Sequence, residues 1–558
     1  MATSYSTPGV YVEEISTLAP SVASVATAIP AFIGYTEKGD RLKPTRIDTL
    51  LDYESLFGGP NPSSFSVAVN NPGTDAQSIA SISRTDAKQD QFLMYYGLSL
   101  YFQNGGGSCY IISVGDYSAT PAVADFTPAL TALEKEDEPT LIVLLDATAL
   151  AAADYYSLCS TALAQCKKLG DRFLIVDVPK GEKIEDFRTG IGSNNLCYAA
   201  VYYPYLTTTL NFQYNEAGVK QTAVGKSFQM TSNTNGVIVD YNGAATDVAK
   251  IKIATDANVA TGKAEFAVTS GANNVKTLDI KIPVVAANVV QPTGTEMAAL
   301  WSTWKNTNAA GGFNVSVNGT GADAVAAIAL KNIDALAATE PTLSDLRSSN
   351  TGLYNQIKSS LSGQRVELPP SAAIAGVYAS VDRERGVWKA PANVSLNSVI
   401  GPVSKISDVE QDSLNIDPTA GKSINAIRAF TGKGTLVWGG RTLAGNDNEW
   451  RYVSVRRLFI TIEESARKAS AFAVFEPNDA TTWLKVKAMI ESYLYGLWQQ
   501  GALAGSKPES AYFVSVGLGK TMTAQDILEG KLIVTIGVAA VRPAEFIILR
   551  FSHKLQEA

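Results

Sequence analysis

The chain has 558 residues, of which 46% are hydrophobic and 18% are charged, and its 53 acidic and 46 basic side chains give a formal charge of −7. A chain of this length is longer than a typical single domain, so we expect several globular domains. The acidic balance lacks the positive field that nucleic acid binding requires, and no nucleic acid partner is expected.

The N-terminus predicts a short strand that has no obvious partner nearby. Met1–Ile15 contains Glu13 and Glu14 but no Lys or Arg, which argues against a secretory signal. Pro8 and Gly9 disfavour a helix. The strand-forming residues that follow are Val10, Tyr11, Val12 and Ile15.

The next region predicts an α/β fold with a parallel sheet. Short β-rich apolar runs alternate with helical pattern, at Cys109–Val114, Leu141–Asp146, Phe173–Val178 and Leu196–Tyr203. Thr148–Leu169 has apolar residues on one helical face and is followed by Gly170, which suits a left-handed cap. The longest apolar stretch, Thr140–Ala153, contains Asp146 and is shorter than the roughly 20 residues that cross a bilayer. No membrane insertion is expected.

From Thr207 to Ser349 the chain is rich in Thr, Asn, Gly, Ala and Val. Alternating runs predict strands at Lys250–Ile253, Ala264–Thr269 and Thr277–Val284. Two helices are predicted, at Thr295–Lys305 and Ala322–Leu336. We interpret this segment as an inserted β-rich, sandwich-like domain that decorates the outer surface.

The last third returns to a mixed pattern. Two long helices are predicted, Arg456–Phe475 and Asp479–Gln500, the second with Asp479 as its N-cap. Two strands follow, at Lys531–Val541 and Phe546–Phe551. The final strand is apolar on both faces, with Ile547, Leu549 and Phe551 on one and Phe546 and Ile548 on the other.

Each chain end therefore carries an apolar strand without an evident partner. Such a strand pairs either with another copy of the chain or with its own domain. The pattern alone favours neither alternative.

A series of motifs along most of the chain resembles one protein family, and this resemblance favours pairing of the end strands with another copy. Ser6–Glu14 (STPGVYVEE), followed by Ile29–Gly34 (IPAFIG), resembles the opening of contractile tail sheath proteins. Further motifs resemble the same family, at Tyr202–Pro204, Pro369–Ser371, Ala375–Tyr378, Gly386–Asn393, Ile424–Arg428, Val437–Thr442, Phe475–Asn478 and Pro543–Phe546. Thr207–Ser349 shows no family pattern.

The resemblance implies a structural subunit of a phage tail or of a phage-tail-like contractile injection system. Subunits of that kind assemble in the bacterial cytoplasm, stack helically around an inner tube protein between baseplate and cap proteins, and lend their extended termini to a small sheet in a neighbour. The implied arm residues are Val10, Tyr11, Val12, Ile15, Phe546, Ile547, Ile548, Leu549 and Phe551.

The resemblance also implies a domain layout. Two arms, 1–20 and 531–558, flank the sheath core, whose N-terminal part is 21–100. The remaining parts are an α/β domain of 101–206 with 350–390, the insertion 207–349, and a conserved C-terminal sheath domain, 391–530.

In this family the C-terminal domain contacts the inner tube, and the candidate surface is a charged face of the first long helix. Its members are Arg457, Glu463, Glu464, Arg467 and Lys468. The alternative is a solvated helix face with ordinary salt bridges at i to i+4 spacing.

We expect no catalytic site, cofactor or metal. The only histidine, His553, lies in the predicted arm, so neither a Ser/His/Asp triad nor a cysteine nucleophile has a base in the core. Gly519–Thr521 and Gly421–Ser423 both lack the earlier glycine that a phosphate-binding loop requires. The competing function is that of a surface-binding or adhesive protein acting through the inserted domain.

Overall fold

A computed structural model describes residues 22, 24–70, 77–86, 88, 90–223, 236–241, 243, 247–286, 289–333 and 341–548. The chain divides into two compact units. The main unit consists of Met1–Asn61, Asp90–Leu210 and Arg365–Ala558, and the second unit of Pro62–Gln89 and Asn211–Gln364. Both contain helices and sheets, so the fold is mixed α/β with more than one domain.

The strands, in chain order, are β1 (Pro30–Gly34), β2 (Thr45–Ile47), β3 (Ser63–Asn70), β4 (Ser78–Arg84), β5 (Cys109–Ser113), β6 (Leu141–Val143), β7 (Phe173–Asp177), β8 (Ala199–Tyr203), β9 (Leu206–Asn211), β10 (Tyr214–Ala223), β11 (Val237–Tyr241), β12 (Val248–Asp256), β13 (Glu265–Ser270), β14 (Val275–Pro283), β15 (Phe313–Val317), β16 (Ile328–Asn332), β17 (Arg365–Leu368), β18 (Val394–Ser395), β19 (Val399–Pro402), β20 (Asn425–Phe430), β21 (Gly434–Val437), β22 (Tyr512–Val516) and β23 (Val534–Val538).

The α-helices are α1 (Leu50–Phe57), α2 (Met94–Gln103), α3 (Val123–Leu133), α4 (Ala152–Leu169), α5 (Ile184–Gly190), α6 (Gly294–Lys305), α7 (Leu343–Ser349), α8 (Thr351–Leu361), α9 (Ser371–Arg385), α10 (Asp408–Asn415), α11 (Val453–Ser470), α12 (Ala480–Gln499), α13 (Pro508–Ala511) and α14 (Ala524–Leu528). Within the described ranges, no helix is both long enough and apolar enough to cross a membrane.

The main unit is organised around a nine-stranded sheet in the order β18-β21-β20-β8-β7-β6-β1-β5-β2. The interior strands are parallel, and Phe32 of β1 lies opposite Ile111 on one side and Val143 on the other. Antiparallel pairs close both edges. All residues of β1 and β7 are buried, as is typical of a parallel sheet covered on both faces. The covering helices include α3 with α4 and α2 with α9.

The C-terminal end of helix α4 is where the sequence predicts it. Gly170 adopts a left-handed φ of 73° at its C-terminus, and Lys167 and Lys168 lie in the last turn, where they complement the helix dipole. Its first turn begins at Ala152, four residues after the predicted start, because Asp146–Ala149 forms a separate 3-10 turn.

The second unit contains two apolar cores. In one, Trp301 of α6 packs with residues of β12 and β14, in a four-stranded sheet ordered β13-β14-β12-β16. In the other, Phe65 and Val67 of β3 pack with Leu353 and Ile357 of α8. Strands of two sheets, β11-β15 and β13-β14-β12-β16, contribute to the first core, and a helix contributes to each core, so the unit is α+β.

Three sequence predictions for this unit are wrong. The predicted helix Ala322–Leu336 is absent from its described residues, 322–333, because Ile328–Asn332 forms β16 and pairs antiparallel with β12. The unit also includes residues 62–89, which the sequence assigns to the sheath core, because β3 pairs with both β4 and β10. Residues 350–364 belong here as well, through α8, and not with the α/β domain.

Candidate intersubunit site

The C-terminal part of the main unit ends in a sheet of two antiparallel strands. Tyr512 of β22 lies opposite Val538 of β23, and Val516 lies opposite Val534. The predicted arm 531–558 therefore starts too early, because these backbone pairs hold residues 534–538 within the fold. Among the described residues, neither strand has a second strand beside it. Each strand thus has an outer edge available for pairing.

This sheet packs on the two long helices α11 and α12. Val514 shares one apolar core with Leu458 of α11 and with Val486 and Ile490 of α12. Apolar side chains therefore hold the sheet against the helices.

Glu545 holds the chain in place just before the predicted arm strand. Arg441 donates to both carboxylate oxygens, with Nε–Oε1 at 2.9 Å and Nη2–Oε2 at 2.6 Å. Asn415 Nδ2 donates to Oε1 at 2.9 Å. Partial burial opposes ionisation of Glu545, but the hydrogen bonds from Arg441 and Asn415 hold its pKa below the usual value.

The three described residues that follow Glu545 are exposed. The accessible fractions of Phe546, Ile547 and Ile548 are 65%, 80% and 77%. Three successive large apolar residues are thus mostly exposed in their own copy, which is the pattern expected of a segment that another molecule covers. Leu549 and Phe551 lie outside the described residues.

The segment that follows the predicted N-terminal arm contacts α11. Val25 N donates to Ser465 Oγ at 3.3 Å, and the carbonyl oxygen of Thr27 accepts from Arg457 Nη2 at 2.8 Å. The arm residues themselves lie outside the described residues, namely Val10, Tyr11, Val12 and Ile15.

Arg457, predicted at the tube-facing surface, is instead buried inside the main unit. Its guanidinium forms a two-pronged ion pair with Asp382 of α9, with distances of 2.9 and 2.5 Å. It also lies over the ring of Tyr378, 4.5 Å from the centroid. The prediction that this side chain lies on an exposed face is wrong, because its partners come from α9, a segment that the helical period of α11 does not reveal.

The other predicted tube-contact residues form a local charge network. Glu464 is buried and pairs with Arg467 and Lys468, at the i, i+3 and i, i+4 spacings of one helix face. Arg467 and Lys468 also reach Asp137. Glu463 is half-exposed. The accessible members of the predicted face are therefore Glu463, Arg467 and Lys468, and each of them already has a partner in the fold.

Two buried carboxylates lie at the carboxyl ends of neighbouring parallel strands, where α/β folds often bind ligands. Asp146 accepts from the backbone N–H of Tyr35 at 2.8 Å and of Leu93 at 2.7 Å, and Asp177 accepts from that of Ser371 at 2.8 Å. Burial raises the pKa of each to about 7. Each carboxylate therefore links its strand to a segment that is distant in the sequence through backbone hydrogen bonds.

In the part of the chain that the structure describes, no group of three or more metal-ligating side chains occurs. His553, the only histidine, lies outside that part.

Contractile sheath proteins are similar to this chain in both sequence and structure. Residues 445–554 match the family model described as the phage tail sheath C-terminal domain. This range contains α11, α12, both strands of the C-terminal sheet and Glu545. The tail sheath protein of Vibrio phage KVP40 is 24% identical over 185 residues, which cover 33% of this chain and 26% of that protein. The tail sheath protein of Enterobacteria phage T4 is 26% identical over 129 residues, 23% of this chain and 19% of that protein.

The chain thus matches about a quarter or less of the length of these two relatives. A solved structure matches over almost the full length: the sheath complex of the extracellular contractile injection system PVC in its contracted state. It covers 99% of both chains at 28% identity, with a TM-score of 0.55. These matches confirm the resemblance to contractile tail sheath proteins.

Proposed function

We propose that this chain is the structural subunit of a contractile sheath, which polymerises helically around an inner tube and contracts to drive that tube through a target envelope. The proposal rests on two observations together: the two strands of the C-terminal sheet each have a free outer edge among the described residues, and the apolar residues Phe546–Ile548 that follow Glu545 are mostly exposed. Strands lent by neighbouring copies, from residues 1–20 and from the segment after Glu545, would extend this sheet.

The mechanism needs no nucleotide. Subunits that rotate as rigid bodies while backbone-paired arms keep them joined can shorten the lattice without dissolving it. The free energy comes from a more favourable compact packing, and a gap of a few kcal/mol per subunit suffices because the polymer moves cooperatively. The core supports a purely mechanical role, since its buried carboxylates Asp146 and Asp177 bind backbone groups.

The proposed partners are further copies of the chain in stacked rings, the inner tube protein, and baseplate and cap proteins. The proposed site of assembly is the bacterial cytoplasm, with release of the particle by lysis. For the tube contact we retain the accessible residues of α11, Glu463, Arg467 and Lys468.

Electron microscopy of the full chain, produced with its tube partner, tests the proposal. We expect striated cylinders, whereas discrete particles would favour the surface-binding alternative. Deleting Met1–Ser16 should leave a folded subunit that no longer forms a contractile lattice. Normal assembly and contraction of that truncation would contradict the arm mechanism.

A further inference from the structure

A large groove lies beside the C-terminal half of α12. Its volume is about 1210 Å³, and it is open to solvent. The end of α9, Trp388 and residues 24–29 form the other walls. Small-molecule pockets in proteins measure roughly 300–1,000 Å³ and enclose most of their ligand. An open groove of this size therefore fits a segment of another macromolecule better than a small ligand.

Trp388 contributes an aromatic ring to the groove. One part of the indole lies directly on Gly386, because a Cβ atom added to Gly386 would be 2.4 Å from the ring. Gly386 has a φ of 90°, which glycine adopts readily and other residues rarely. On α12, Ser492 and Gly496 line the groove, and a Cβ atom added to Gly496 meets no other atom. The groove therefore offers an aromatic surface together with small side chains.

The rim of the groove carries positive charge at the C-terminal end of α9. Arg383 and Arg385 both line the groove and are exposed. Arg383 lies 3.9 Å from Glu384, whereas no ion pair joins Arg385 to any residue of the described ranges. Basic side chains in a last turn also favour the helix dipole, so they do not by themselves indicate a partner. The charge of Arg385 is nevertheless accessible to an acidic group of another molecule.

The turn between α11 and α12, residues 474–476, has features complementary to the groove; we call it the Phe475 turn. Phe475 is fully exposed, at 104%, and has a left-handed φ of 67°, which residues other than glycine rarely adopt. Val474 is 62% exposed. Glu476 is also exposed, and no residue in the part of the chain that the structure describes forms an ion pair with it. Backbone strain of this kind persists chiefly at functional positions, which makes the Phe475 turn a candidate contact.

We propose that the Phe475 turn of one copy inserts into the groove of a second copy, where its ring packs against Trp388 and Glu476 pairs with Arg385. This inference rests on the proposed sheath function, and it is independent of strand pairing by the chain ends. Packing of two aromatic rings stabilises a contact beyond the area that it buries. The pair of opposite charges determines the direction in which the turn enters the groove.

The two parts of this contact lie at opposite ends of α12. The Phe475 turn comes shortly before Ala480, the first residue of the helix. Gly496 of the groove lies about 24 Å further along the axis, at 1.5 Å per residue. The turn of one copy therefore cannot fill the groove of the same copy. Each copy offers its turn to one neighbour and its groove to another, and such a contact continues into a ring or a helix, as a sheath requires.

Exchange of the two charges tests the contact, with the yield of sheath formed on the tube partner as the measurement. Glu476→Arg and Arg385→Glu change exposed side chains, so both variants should fold like the parent. Each should lower the yield about threefold or more, because like charges then meet, and the double variant should recover most of it. Phe475→Asp should lower the yield about tenfold or more, because a carboxylate is disfavoured against an aromatic surface. Leu51→Asp, at a residue of α1 that is 73% exposed, is the matched control and should assemble like the parent.

The outcomes separate this inference from the proposed function. A parent chain that forms only discrete particles would contradict both. If the parent forms sheath and Phe475→Asp does so equally well, the inference is wrong and the sheath function stands. Loss of sheath in both charge variants without recovery in the double variant would also overturn the inference.

A disulfide links the two parts of the contact directly. A chain carrying both Phe475→Cys and Ser492→Cys should form a ladder of disulfide-linked copies on oxidation of the sheath, whereas neither single variant should. Absence of the ladder would show that another segment, such as residues 1–21 of the same copy, fills the groove, and it would overturn the inference.

Discussion

Replacing Asp382 by Ala should be among the most destabilising single changes in the main unit. The side chains of Asp382 and Arg457 are only 5% and 3% exposed. The substitution removes both charge-assisted hydrogen bonds, at 2.9 and 2.5 Å, and leaves a buried guanidinium with the Thr27 carbonyl and the Tyr378 ring as its remaining partners. Breaking a buried ion pair in this way costs about 3–5 kcal/mol.

Urea unfolding followed by tryptophan fluorescence measures this loss. Asp408→Ala is the matched control, because Asp408 pairs with Arg428 at 2.7 Å but is itself 89% exposed. That change should cost about 1 kcal/mol or less. The double variant Asp382→Ala, Arg457→Met should recover part of the stability, since it removes the uncompensated charge.

The result has a direct bearing on the arms, because Arg457 also holds the segment that leads out to residues 1–20. We therefore expect Asp382→Ala to weaken sheath assembly even where the subunit remains folded. A loss of stability no greater than that of Asp408→Ala would refute the reasoning, as would a double variant less stable than either single one.

Three further predictions concern the rest of the fold. Burial raises the pKa of Asp146 and Asp177 to about 7 from the ordinary 3.8, so between these values the folded state keeps protons that the unfolded state has released. The free energy of unfolding should therefore fall as the pH rises from about 4 to about 7. Urea midpoints measured at several pH values should depend less on pH in Asp146→Asn, and an unchanged pH dependence in that variant would contradict the prediction. Gly170→Ala should cost about 1–2 kcal/mol because the φ of Gly170 is 73°, although the added methyl group would meet no other atom. Gly496→Ala inside α12, where the added methyl group also meets no other atom, should stabilise the protein by up to about 1 kcal/mol. Equal shifts in the thermal midpoint of the two variants would disprove the backbone argument. Trp301→Ala should destabilise the second unit by about 3–5 kcal/mol, since the indole is fully buried and packs against Phe266 at 5.3 Å, and hydrogen exchange in β12 and β14 would reveal the loss or its absence.

Local sequence determined the elements whose signals lie within one segment. The predicted helix Asp479–Gln500 is observed as Ala480–Gln499, and Asp479 caps it by accepting from the N–H of Thr482. Gly170 ends α4 as predicted. Helical period and capping involve neighbours in the chain, so the sequence displays them directly.

Contacts between distant segments decided what the sequence left open or suggested wrongly. Ile328–Asn332 is in a segment with helical pattern, yet it forms a strand because β12 offers backbone partners. Arg457 lies on a helix with a charged face, yet its side chain is buried because it forms an ion pair with Asp382. Arg441 and Glu545 occur in separate motifs, and only the folded chain brings them together. The energy of a strand pair or an ion pair depends on which groups are close in space. The sequence shows which groups are present but not which of them come into contact.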